Sequence, residues 1–97
     1  MEFLVNITLR WSENMDPDLK ERIIQTERAH AAELVATGHL VRMWRVPARF
    51  ENWGLWRAED ATELHEIISG LPAFPWMINV DVHPLARHPV DPTPYES

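Results

Sequence analysis

Residues 16–38, DPDLKERIIQTERAHAAELVATG, read as one helix, and the rest of the chain is organised around it. Asp16 can cap the first free N–H groups, and Pro17 takes the first helical position, where its missing N–H costs nothing. Gly38 is placed to close the helix through a left-handed turn. At roughly 100° per residue with Glu27 set to zero, Leu34 falls near −20°, Ile23 near −40°, Ala31 near +40°, Ile24 near +60° and His30 near −60°. Leu19 and Val35 lie about 80° to either side, while Glu21, Arg22, Gln25, Arg28 and Glu33 fill the opposite arc. Lys20 is the exception on the apolar side, and it sits in the first turn, where it reaches water. A carboxylate, Glu27, therefore lies on the midline of the face that should be buried.

That placement is costly. An ionised carboxylate in apolar surroundings loses several kcal/mol of hydration unless it is paired, and it responds by raising its pKa. A carboxyl group tuned upward in a closed pocket suits proton abstraction near neutral pH. A structural carboxylate, bonded to a buried Arg or to backbone N–H groups, would occupy the same position. The helix pattern alone leaves both readings open.

Outward from the helix, residues 2–10 alternate, with Phe3, Val5, Ile7 and Leu9 on one face, as in a half-buried strand. Residues 39–46 form a second strand with apolar groups on both sides, and Pro47-Ala48-Arg49 reads as a hairpin connection. Residues 50–57 form a third strand, with Phe50, Asn52, Gly54 and Trp56 on one face and Glu51, Trp53, Leu55 and Arg57 on the other. A slip of one residue in this hairpin would exchange the faces.

Asp60 and Glu63 start a second helix in capping-box fashion, with Ala61, Leu64, Ile67, Ile68 and Leu71 on its apolar side and Gly70 and Pro72 at its end. Residues 76–82 give a fourth strand. The order β-α-β-β-α-β predicts an α+β, ferredoxin-like domain over residues 1–83, a four-stranded antiparallel sheet with both helices on one face. Residues 84–97 hold four of the eight prolines and read as an extended arm without a core of its own. Strands two to four carry apolar groups on both faces, so a covering subunit is expected, at least a dimer.

Composition narrows the function. Ninety-seven residues make one domain. The formal charge of −6 and the lack of a basic run argue against nucleic acid. No apolar run is long enough to span a membrane, and no basic-then-apolar leader is evident. The chain has no cysteine, which excludes thiolate chemistry and fits the cytoplasm. Five tryptophans are many for one small core and point to an aromatic pocket, an interface, or both. The five histidines have no compact ligand spacing, so no metal site is expected. No nucleophile elbow or phosphate-cradling glycine loop is present. Asn52 reads as either a pocket donor or a satisfied core amide. Arg45 could meet an anionic ligand, or pair with Glu51 across the hairpin.

The ordered set Met15-Asp16-Pro17, Glu27, Gly38, Trp44-Arg45, Asn52, Leu64-His65, the corner Leu71-Pro72-Ala73-Phe74-Pro75-Trp76-Met77, and His88-Pro89 resembles the muconolactone isomerase family. The resemblance runs almost without gaps from the first strand to Met77. It implies cofactor-free chemistry in aromatic catabolism by the 3-oxoadipate route, in which a proton moves between ring carbons of an unsaturated lactone through a dienolate. It also implies decamers of ferredoxin-like subunits paired sheet to sheet as dimeric α/β barrels, with pockets completed by neighbours. The family's pocket carboxylate falls on Glu27, which becomes the expected shuttle base. Asn52 matches by position and is the expected donor to the dienolate oxygen. Trp44, Arg45, Phe50, Gly54, Trp56, His65 and Phe74 complete the candidate substrate contacts.

Three positions depart from that pattern. Phe50 stands where the family has a tyrosine, Gly54 where it has a serine, and Asn6 where it has a lysine. These losses leave two alternatives beside a muconolactone-type isomerase. One is a paralogue performing another ring rearrangement, such as dehalogenation or a biosynthetic cyclisation, on a more apolar substrate. The other is a non-catalytic oligomer that binds a small molecule.

Overall fold

Strand β1 (Glu2–Leu9) is shared by both halves of the sheet. In the computed structural model, which describes residues 1–92, it is followed by α1 (Pro17–Ala36), β2 (Leu40–Arg45), β3 (Glu51–Arg57), α2 (Ala61–Ser69), a 3₁₀ turn at Phe74–Trp76 and β4 (Met77–Leu85). The four strands are antiparallel in the order β2-β3-β1-β4. This is the ferredoxin-like α+β arrangement expected from the order of elements.

The alternation in β1 fixes the core. Phe3, Val5 and Ile7 stand opposite Trp56, Gly54 and Asn52 of β3 and opposite Pro84, Val82 and Val80 of β4. Phe3 and Val5 are wholly buried, and with Ile7, Leu34, Leu40, Trp56, Leu64 and Ile68 they form one cluster between sheet and helices. Burying each such large apolar side chain contributes about 1.5–3 kcal/mol, so this side of the sheet dominates the fold's stability.

The helix ends follow the chemistry of their residues. Asp16 accepts a hydrogen bond from the Asp18 N–H at 3.2 Å, Pro17 opens α1, and Gly38 follows its end at φ 81°. Asp60 accepts from the Glu63 N–H at 2.8 Å, and the Glu63 carboxylate accepts from the Glu59 N–H at 3.0 Å, which closes a capping box on α2. Lys20, half-buried in the first turn, holds its Nζ 5.6 Å from the centre of the Trp11 ring.

Three details depart from the sequence reading. A register shift between Leu40 and Arg42 breaks the alternation of β2, so that Met43 and Arg45 fall opposite Gly54 and Asn52 while Trp44 falls opposite Trp53. Glu51 meets Arg49 at 3.7 Å rather than Arg45, which stands across from Asn52 on the other face. Strand β4 continues to Leu85, because His83, Pro84 and Leu85 remain in register with Leu4, Phe3 and Glu2. Proline is tolerated there because β4 is an edge strand. The end of the expected arm, residues 93–97, lies outside the described residues.

Much apolar surface stays uncovered in one chain. Of the α1 stripe only Leu34 is buried, and Leu19 and Val35 at its margins are 41% and 58% exposed. Met43, Trp44, Ile78 and Val82 on the edge strands are also exposed. Among the described residues, no helix is long and apolar enough to cross a membrane.

Candidate active site

Glu27 lies in the middle of α1 on the side turned toward the sheet, where it lines a cavity of about 140 Å³. Ile7 and Leu9 of β1, Leu34 of α1, Met43 of β2 and Asn52 and Trp56 of β3 form the facing walls. Leu71, Ala73 and Met77 close one end. A dry apolar cavity of about 150 Å³ holds a benzene ring, so this one has the scale of a small monocyclic ligand.

The carboxylate is held by the corner that follows α2. Pro72 and Pro75 have no N–H to give. The Leu71 N–H donates to the Ile68 carbonyl at 3.1 Å, Phe74 N–H to Leu71 at 2.9 Å and Trp76 N–H to Ala73 at 3.0 Å. The Ala73 N–H is left over from this turn, and it donates to Glu27 Oε2 at 2.7 Å. One carboxylate oxygen is thereby fixed, and no Arg or Lys pairs with Glu27 among the described residues. Burial pushes the Glu27 pKa above its ordinary value, while the Ala73 N–H and the nearby His30 pull it part of the way back. The chemistry available is that of a positioned carboxyl group with an elevated pKa beside an apolar void.

Among the described residues, two further polar groups on the cavity walls have no partner. Asn52 Oδ1 and Trp56 Nε1 are both buried and accept or donate no hydrogen bond. Buried polar atoms are nearly always paired, so these two orphans on the wall of one cavity are groups that a polar occupant could satisfy. Among the described residues no hydrogen bond fixes the Asn52 amide, and a half-turn about its last torsion presents its NH₂ in place of its oxygen.

The other candidates from the sequence are distributed differently. His65 and Phe74 line a separate groove of about 390 Å³ between α2 and β4, with Val80 and Val82. Phe50 precedes β3, is 68% exposed, and borders a third, open depression with Trp11 and Ile78. Trp44 is on the outer face of the sheet, away from Glu27, because of the register shift in β2. Arg45 shares the helix-facing side with Asn52 but stands beyond the cavity wall on the exposed edge strand. Asn6 also belongs to the outer face, where its Nδ2 donates to Glu51 Oε2 at 3.0 Å. Gly54 lies behind the wall under the Trp56 ring, where a Cβ would come within 2.6 Å of Nε1. Within one chain the cavity thus gathers Glu27, Asn52 and Trp56. The sequence reading missed the Ala73 N–H, and the signal was present in the two prolines that leave so few donors in that corner.

The pattern of the family described as muconolactone delta-isomerase matches residues 1–91. Muconolactone Delta-isomerase of Rhodococcus opacus is 34% identical over 89 residues, covering 92% of this chain and 95% of that protein. The chain belongs to the muconolactone delta-isomerase family. The family member from Cupriavidus pinatubonensis is 33% identical, with 92% of this chain and 96% of that protein covered. A crystal structure of muconolactone isomerase superposes with a TM-score of 0.90 over 100% of both chains at 27% identity. A 5-chloro-2-hydroxyhydroquinone dehydrochlorinase from Burkholderia phenoliruptrix has a TM-score of 0.58 at 16% identity, covering 91% of this chain and 96% of that one, and shares the fold alone. Membership of the muconolactone delta-isomerase family makes the protein an isomerase.

Proposed function

We propose that the protein converts muconolactone to its enol-lactone isomer, with Glu27 as the single base that carries the proton. In this reading the Glu27 carboxylate takes the proton from the ring carbon γ to the lactone carbonyl. The C–H electron pair becomes the new ring double bond, the original double bond shifts toward the carbonyl carbon, and negative charge gathers on the carbonyl oxygen. The protonated Glu27 then returns the proton to the α carbon, and the charge flows back. Every atom and electron is accounted for without a redox partner, so the step calls for no cofactor. The Asn52 NH₂ is the proposed donor to the oxygen that becomes negative.

The observation that carries this reading is the Glu27 carboxylate, half-buried, tethered by one oxygen to the Ala73 N–H at 2.7 Å and, among the described residues, paired with no Arg or Lys. A passive binder of apolar molecules has reason to lose such a group, since keeping it costs hydration. We further propose that the subunits pair through the outer faces of their sheets and assemble further, as the family resemblance implies. The exposed Trp44 and Leu85, which share the outer face with the incompletely buried Leu4, Trp53 and Leu55, support that pairing, because isolated subunits seldom leave so much apolar surface in water. The test is direct: incubate the purified protein with muconolactone and follow the ring protons by NMR. Conversion to the enol-lactone supports the proposal, and an unchanged spectrum at high enzyme concentration refutes it.

A further inference from the structure

We infer that the Trp56 indole N–H is a second hydrogen-bond donor to the substrate's lactone oxygen, made possible by the missing side chain at Gly54. The inference rests on the reading of the Glu27 cavity as the active site. Trp56 is 2% exposed and lines that cavity, yet its Nε1 has no hydrogen-bond partner. A tryptophan that served only as filler would leave a costly unpaired donor that phenylalanine in the same place would avoid. The indole can lie as it does because position 54 is glycine. A Cβ there would sit 2.6 Å from Nε1 and 3.2 Å from Cδ1, closer than side chains approach one another.

The other neighbour of the empty Cβ position is flexible. The Met43 methyl would lie 3.5 Å from a Cβ at position 54, on a side chain that is 44% exposed and carries several freely rotating bonds. Met43 also lines the cavity, so a turn of its thioether widens the space beside Gly54 for whatever occupies the cavity. Asn52, two residues from Gly54 on the same strand face, holds the other unpaired buried atom. The two orphans therefore flank the glycine on one face of β3, opposite the helix that supplies Glu27. An acceptor oxygen lodged there would satisfy the indole N–H together with the Asn52 NH₂, leaving the carboxylate to handle the proton. Trp56 would act on the developing oxygen charge and on the substrate's orientation, and not on the proton itself.

The test compares Trp56→Phe, which keeps an aromatic ring and removes the N–H, with Glu27→Gln and the wild type, using muconolactone as substrate. Trp56→Phe should lower kcat by roughly 10²-fold, the size seen when one oxyanion donor is lost, with a KM changed far less and no loss of thermal stability. In ¹⁵N-tryptophan-labelled wild-type protein, the indole N–H that exchanges most slowly with solvent should shift downfield on adding the saturated analogue of muconolactone, which binds without reacting. That spectrum needs no variant to fold. A Trp56→Phe enzyme within about threefold of wild type in kcat, or an indole resonance unmoved at saturating analogue, overturns the inference. If Trp56→Phe is unaffected while Glu27→Gln is inactive, only this inference fails. If both variants turn over normally, the reading of the cavity fails with it.

Discussion

Gly54→Ala sets two opposed effects against each other at one position. Gly54 lies in strand β3 and does not adopt the left-handed backbone that Gly38 does, so alanine is sterically permitted by its own backbone. On that ground alone the substitution would stabilise by about 0.4–1 kcal/mol, because it restricts the unfolded chain. The new methyl, however, would lie 2.6 Å from Trp56 Nε1, and that ring is 2% exposed with packed atoms around it. Forcing extra volume into a filled core costs about 1–3 kcal/mol. The second effect wins, and the net loss is about 0.5–2 kcal/mol. For a domain of this size each kcal/mol lowers Tm by about 4–8 °C. Urea unfolding followed by far-UV circular dichroism measures the difference, with the slope checked for a change in the two-state behaviour. The same substitution made in a Trp56→Leu background, where the indole is gone, should change sign and stabilise. A Gly54→Ala protein as stable as the wild type with Trp56 in place would refute the steric coupling of the two residues.

Three further outcomes follow from the same geometry. Turnover should rise with pH along one ionisation placed above the ordinary glutamate value of 4.5, since the base works only when Glu27 has lost its proton. A rate profile with its midpoint at or below that value would contradict the burial of the group. Because the folded state favours protonated Glu27, the group supports stability at low pH and withdraws that support as pH rises through its elevated pKa. Glu27→Gln should accordingly raise Tm at pH 7, a gain that disappears in melts at about pH 4 and below. Asp60→Ala removes the acceptor for the Glu63 N–H and should destabilise by about 1 kcal/mol in urea unfolding, leaving turnover per folded molecule unchanged.

The sequence exposed the scaffold more fully than the site. Alternation in β1, the caps at Asp16, Asp60 and Gly38, and the wheel position of Glu27 are all short-range signals, and each has its expected place in the fold. Contacts between distant segments were less accessible. The Ala73 N–H reaches Glu27 across 46 positions of sequence, and only the folded corner brings them together. Apolar groups on both sides of β2 left its facing open, and one inserted residue near Val41 turns Trp44, an expected substrate contact, to the outer face. His65 and Phe74 belong to the same family pattern as Glu27 yet line another groove within the chain. The departure at Gly54 read as the loss of a polar group. Folded, it creates the space in which the Trp56 N–H lies unpaired.

The central claim is that a carboxylate kept from water between α1 and the sheet carries hydrogen from carbon to carbon. Its most direct test is the steady-state kcat of Glu27→Gln on muconolactone at neutral pH, beside the wild type at equal folded concentration. The substitution keeps the shape and the bond from Ala73 while removing the basic site, and kcat should fall by at least about 10²-fold. A glutamine enzyme that works within threefold of the wild type would contradict it.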